Sequence, residues 1–202
     1  RSGVTRQAVP TSMSAYNTAS GGCCAEGCRV LMADDNDEKK VEDIKKGDKV
    51  ITYHMEKDEQ GRYHESHITS TIECVIRTKC NNNKETMVQL GNLLITPYHP
   101  IIDMVNYEKD WSFPIKRGTS REHKCNYMYT FVTSNRQSLV IERYIFATFG
   151  HGLKEDIVSH DYFGTESIIN DLKKFPTYEE GYVNLTKNMI HRDENGLVSK
   201  IE

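Results

Sequence analysis

An all-β fold is what this sequence predicts, on three observations. Apolar residues come in short, strand-sized runs. Turn-forming residues recur about every ten positions through residues 23–150. Only one stretch of the 202 residues, near the C-terminus, carries a helical apolar period.

Taken in chain order, residues 1–22 are rich in Ser, Thr, Gly and Ala without apolar periodicity, and they read as a flexible lead-in from an upstream segment. "CRVLMADD" predicts a short strand running into an acidic turn; Asp34, Asp35 and Asp37 lack the twelve-residue calcium-loop pattern and read as solvated. "KKVEDIKKGDKVITYHM" predicts two strand-like pieces, carrying Val41, Ile44, Val50 and Ile51, around a Gly47–Asp48 turn. "STIECVIRT" and "ETMVQLGNLLITPYHPII" continue the strands, with Gly91–Asn92 as a hairpin turn and "CNNNKET" as a polar loop. "YMYTFVTSNRQSLVIERYIFATF" adds two strands around Ser134–Asn135–Arg136. The β domain therefore spans 23–150. In the extension 151–202, "GTESIINDLKKF" sets Ile168, Ile169, Leu172 and Phe175 at helical spacing, with Thr165 as N-cap and Pro176 as the stop.

With 26 basic against 29 acidic residues, the net charge of −3 leaves no basic footprint for nucleic acid. No apolar run approaches the ~18–20 residues of a membrane span. The chain starts at Arg1 with no apolar signal region, and reads as a fragment of a longer polypeptide. Cysteines at 23, 24, 28, 74, 80 and 125 form no paired C-x-x-C sets, so no metal site is expected. Adjacent, irregularly spaced cysteines make a poor disulfide framework; free thiols in a reducing, cytoplasmic compartment are the expectation.

Three features carry chemistry. The Gly22–Cys23 junction suits a thiol attacking the carbonyl just before it, because glycine lacks the Cβ that would crowd the five-membered ring. In "LLITPYHP", Thr96 and His99 stand three apart after a strand, with Pro97 and Pro100 bracketing the turn. An imidazole is the natural acid for a leaving amide nitrogen. The two segments meet only if the β body folds back on itself. His151, between Gly150 and Gly152, is an acceptor-orienting candidate. The bland alternatives are a packing role for Cys23, a structural His99 and a tight-turn His151. Cys24 and Cys28 read as packing residues, and His160–Asp161 as a turn pair.

"CCAEGCRV", "KKVEDIKKGDKVIT" and Thr96-Pro97-Tyr98-His99, in this order, resemble the Hint domain, the Hedgehog/intein self-processing module. "FATFGHGLKEDIVSHDYFGT", "HRDENGLVS" and the lead-in "TSMSAYNTASGGC" resemble the subgroup that follows von Willebrand A domains. The resemblance covers about 11–200. It implies a horseshoe of strands and an N-to-S acyl shift at Gly22–Cys23. Cys23 would be the nucleophile, His99 the proton donor to the amide nitrogen, and Thr96 the group that orients the scissile peptide. The substrate would be the chain's own upstream polypeptide, transferred from a thioester to water, a thiol or an amine, without any cofactor. Departures narrow this: there is no His-Asn dipeptide, Ala147–Thr148 stands in its place, Gln137 replaces a usual histidine, and Arg77 lies where a sterol-activating aspartate is expected. Intein-type C-terminal cleavage and sterol transfer lose their support. A degenerate Hint-fold interaction module is the alternative.

Overall fold

The computed structural model describes residues 22–34, 37–60 and 63–202; the lead-in up to residue 21, and Asp35, lie outside the described residues. The strands are β1 (Cys24–Ala25), β2 (Arg29–Leu31), β3 (Glu38–Lys40), β4 (Lys49–Lys57), β5 (Tyr63–Lys79), β6 (Lys84–Leu90), β7 (Leu93–Ile95), β8 (Ile101–Asp103), β9 (Ser120–Lys124), β10 (Tyr127–Thr133), β11 (Ser138–Ile141) and β12 (Tyr144–Phe146). One helix, α1 (Glu166–Leu172), precedes β13 (Tyr182–Thr186), β14 (Ile190–Arg192) and β15 (Val198–Ile201). The architecture is all-β with a small helical element near the C-terminus.

Thirteen of these strands hydrogen-bond into one sheet, with the path β3-β2-β11-β4-β5-β10-β1-β7-β6-β9. β12 joins β11 to β8, β13 runs parallel to β5, and β14–β15 form a separate hairpin. The short β1 is wedged between β10 and β7, with Cys24 opposite both Tyr129 and Ile95. This placement folds the body back on itself and brings Cys23 to Thr96.

The turns over Gly91–Asn92 and 134–136 fall where the sequence places them, between β6 and β7 and between β10 and β11. Two local readings are corrected. Val41–Asp43 form a 3-10 turn rather than strand. At three residues per turn, Val41 and Ile44 fall on one face and both are buried. The run "SLVIERYIF" is a hairpin, not one strand. Glu142 and Arg143 adopt φ of 49° and 68°, the left-handed pair of a two-residue hairpin loop. No glycine or asparagine marks it; instead Glu142 is tied to Arg29 of β2 by two hydrogen bonds, 2.9 and 3.0 Å.

The core divides by sheet face. Side chains alternate across a strand, so Cys24 and Tyr129 pack with Phe131, Leu139 and Phe146 on one side. On the other side Cys23 joins Ala25, Cys80, Met87, Cys125 and Met128. Further along, Ile76 and Val132 pack against Val183 and the helix residues Ile168, Ile169 and Leu172. Thr165 caps α1, its hydroxyl accepting from the Ser167 amide at 3.3 Å. The helix ends at Leu172, ahead of Pro176, which opens a 3-10 turn.

Candidate active site

Cys23 and Thr96 are joined twice. The Thr96 amide donates to the Cys23 carbonyl at 3.0 Å, and the Cys23 amide donates to Thr96 Oγ1 at 3.1 Å. The nitrogen of the Gly22–Cys23 peptide is therefore held by a side-chain hydroxyl. A threonine hydroxyl that accepts a hydrogen bond there can also donate, so it can follow the nitrogen as its bonding changes.

Beyond Thr96 the chain turns, the His99 amide donating to the Thr96 carbonyl at 3.3 Å. This lays the imidazole against Gly22. A Cβ on residue 22 would stand 1.9 Å from His99 Nδ1, so no residue with a side chain fits there in this arrangement. The ring stacks on Phe146, with centroids 3.7 Å apart. Both ring nitrogens face backbone, of Gly22 and Ala147, without a closed hydrogen bond. Burial drives the imidazole down to about 3; the two backbone groups oppose this and the nearby His151 adds to it. His99 is thus neutral at physiological pH. A neutral resting ring can first accept a proton and then return it, which is compatible with the donor role the sequence suggests.

The Cys23 thiol is 4 % exposed. Burial pushes it well above the ordinary thiol range; Cys80 and Glu85 add to the rise, and Lys187 opposes it. Lys187 and Glu85 form an ion pair at 2.6 Å, so the segment after β13 reaches this side of the sheet. Cys80 and Cys125 share a thiol–thiol hydrogen bond that lowers the Cys80 thiol and raises that of Cys125. On the opposite face the Cys24 thiol donates to the Tyr129 carbonyl and the Cys28 thiol to the Leu94 carbonyl, both at 3.7 Å; burial pushes Cys24 up, while the neighbouring Cys24 holds Cys28 down. All six cysteines are free and buried.

His151 lies close enough to His99 for their charges to oppose one another. Its Nδ1 accepts from the Leu153 amide at 3.0 Å, while Nε2 is buried without a hydrogen-bond partner. Burial lowers its imidazole to about 4, with His160 and Lys154 contributing. His160 Nδ1 accepts from the Tyr162 and Phe163 amides, the turn role its sequence context suggests. Arg77 is elsewhere, its guanidinium 4.8 Å over the Tyr127 ring and Nε donating to Asn184 at 2.8 Å. Ala147 is beside His99, and Thr148 hydrogen-bonds the Gln137 carbonyl at 3.1 Å. Among the described residues no group of three or more His, Cys, Asp or Glu is arranged to hold a metal. No helix there is long and apolar enough to cross a membrane.

The structure thus brings Gly22, Cys23, Thr96 and His99 into one site, with His151 behind His99. Sequence reading missed Phe146, the Glu85–Lys187 pair and the Cys80–Cys125 pair.

A family model described as "Vint: Hint-domain" matches residues 22–200, nearly the whole described chain. The chain belongs to the Hint-domain family. Hint domains act on their own polypeptide, and the match opens at the Gly22–Cys23 junction. No curated protein matches this sequence. Among solved structures, the Hint domain is similar to a bacterial intein-like domain from Clostridium thermocellum, at 17% identity and TM-score 0.41 over 62% of this chain and 97% of that one. It is also similar to a DnaB intein from Synechocystis sp. PCC 6803, at 11% identity and TM-score 0.40 over 63% of this chain and 99% of that one. A third is the Ssp DnaB mini-intein variant M86, at 12% identity and TM-score 0.39 over 67% of this chain and 97% of that one.

Proposed function

We propose that this Hint domain performs an N-to-S acyl shift at Gly22–Cys23 and then releases or transfers its upstream segment. The observation that carries the reading is the clamp on one peptide bond. Thr96 Oγ1 holds its nitrogen, and the His99 ring packs on the glycine that supplies its carbonyl. In the shift, Cys23 Sγ attacks the Gly22 carbonyl carbon and a C–S bond forms. The C–N bond to Cys23 then breaks. The thiol proton passes through neutral His99 to the departing nitrogen, leaving a thioester and a free α-amine. Water, a thiol or an amine then opens the thioester, freeing Cys23 Sγ.

An amide is more stable than a thioester, so the opening of the thioester must pull the shift forward, while positioning lowers its barrier. Well-oriented intramolecular reactions gain up to ~7–11 kcal/mol, and one placed donor adds ~2.7–4 kcal/mol. Thr148, which stands where an intein has its closing asparagine, cannot cyclise as that residue does, which supports processing at the N-terminal junction alone. The resemblance around "FATFGHGLKEDIVSHDYFGT" supports a place in the subgroup downstream of von Willebrand A domains, which would make such a domain the upstream segment.

Incubation of the chain with hydroxylamine or a thiol, followed by mass spectrometry, tests this. A C-terminal fragment beginning at Cys23, absent from Cys23→Ala, is the expected result. The burial of the Cys23 thiol favours a second reading, a Hint fold kept as an interaction module. An intact mass after long incubation, equal to that of Cys23→Ala apart from the substitution, supports it and overturns the first.

A further inference from the structure

The buried Cys23 thiol poses a problem that its known neighbours do not solve. Thr96 is committed to the Cys23 amide, His99 faces Gly22 and Ala147, and the Lys187 cation is paired with Glu85. Some group must stabilise the charge that appears on Sγ when the thiol gives up its proton ahead of attack.

Thr130 of β10 is that group by position. β1 and β10 pair with Cys24 opposite Tyr129 and Ala25 opposite Met128. One residue further, the same register sets Thr130 opposite Cys23. Alternation puts Thr130 on the face of Met128, which packs with Cys23, and away from Tyr129, which packs with Cys24. Residues directly opposite in an antiparallel pair have Cβ atoms only ~4.5–5.5 Å apart. Thr130 is 1 % exposed, and its Oγ1 has no hydrogen-bond partner. A buried hydroxyl left unpaired is destabilising, and such exceptions call for a reason. Here the reason is chemical: the partner exists only during the reaction.

We infer that Thr130 is a further catalytic residue, whose hydroxyl donates a hydrogen bond to Cys23 Sγ as the thiol becomes the attacking thiolate. The bond is open in the resting chain and closes by rotation about χ1. Thr96 then holds the nitrogen side of the scissile peptide and Thr130 the sulfur side, one hydroxyl from just beyond β7 and one from β10, the two strands that flank β1. The remaining charged or ionisable groups whose fields reach Cys23 are Cys80, Glu85 and Lys187. None of them is a spare donor of this kind: Cys80 is held by Cys125, and Lys187 by Glu85.

The assignment rests on the acyl-shift reading, and the test separates the two. Hydroxylamine-triggered release is followed in the full chain for wild type, Thr130→Val, Thr130→Ser and Cys23→Ala, with thermal midpoints measured alongside. Valine keeps the shape and deletes the hydroxyl. The expected result is release slowed at least about tenfold in Thr130→Val, the scale of one lost hydrogen bond to a charged group. Release in Thr130→Ser is expected within about threefold of wild type. The Thr130→Val midpoint is expected at or above that of wild type, because an unpaired buried polar atom has been removed. Equal rates in wild type and Thr130→Val overturn the role of Thr130 and leave the acyl shift standing. Equal slowing by valine and serine, or slowing with a lowered valine midpoint, assigns Thr130 to packing and also overturns it. Absence of release from wild type, as in Cys23→Ala, overturns the acyl shift and this assignment together.

Discussion

Gly22 and His99 occupy a space that no larger pair could share: a methyl group added at Gly22 would lie 1.9 Å from His99 Nδ1. A sequence reader infers glycine at this junction from the ring that the attack must form. The folded chain adds a second reason, the seat of the imidazole.

Gly22→Ala is therefore expected to displace His99 from its stack on Phe146 and to slow thiol-dependent release by about a hundredfold, the cost of misplacing a reacting group by about an ångström. Overpacking at a buried site also destabilises by ~1–3 kcal/mol. Pairing Gly22→Ala with His99→Gly should recover stability but not rate. Urea midpoints and fragment mass spectra check both; a Gly22→Ala chain that keeps wild-type stability would show that the ring is not seated there.

Thr96→Val removes the acceptor of the Cys23 amide while preserving shape. Release should fall by about 10²–10³, the scale of one lost donor at a reacting centre. The buried amide left open should lower stability by ~1–3 kcal/mol. Thr96→Ser should retain most of both. Quantified release and thermal midpoints decide it; a valine variant as fast as wild type removes Thr96 from the chemistry.

Acid should unfold this domain earlier than a protein without buried imidazoles. His99 and His151 are lowered to about 3 and about 4 by burial, against ~6.5 in an unfolded chain. Between those limits the unfolded state binds the extra protons, so stability falls as pH drops below ~6.5 and levels off near the folded values. The slope is up to ~1.4 kcal/mol per pH unit for each histidine. Urea midpoints across this window measure it, and His151→Gln should flatten the slope by one proton. The rate of release, by contrast, should not fall through His99 protonation until well below ~6.5.

What was legible in the sequence was what local chemistry writes down. Gly91–Asn92 marks its hairpin, Thr165 marks the start of its helix, and the four residues the sequence singles out, Gly22, Cys23, Thr96 and His99, lie together in the fold. What was not legible depends on partners far along the chain. The Glu142–Arg143 turn lacks turn-favouring residues because Arg29, a distant neighbour, holds Glu142 in place. Val41–Asp43 carries apolar residues that suit a strand or a tight turn equally, and packing chose the turn. The charge state of His99 was not legible for the same reason: a motif names an imidazole, but its burial against Phe146 sets its charge.

The two-residue strand β1, which Cys23 directly precedes, is held only by partners from far along the chain. Its neighbours arrive late: the Thr96 hydroxyl is 73 positions downstream and the Tyr129 carbonyl 105. For the proposed acyl shift this sets an order: during synthesis, whatever lies upstream of Gly22 leaves the ribosome before the residues that would cut it are made. The order of translation would then act as a safety catch, giving the attached segment time to fold before its release.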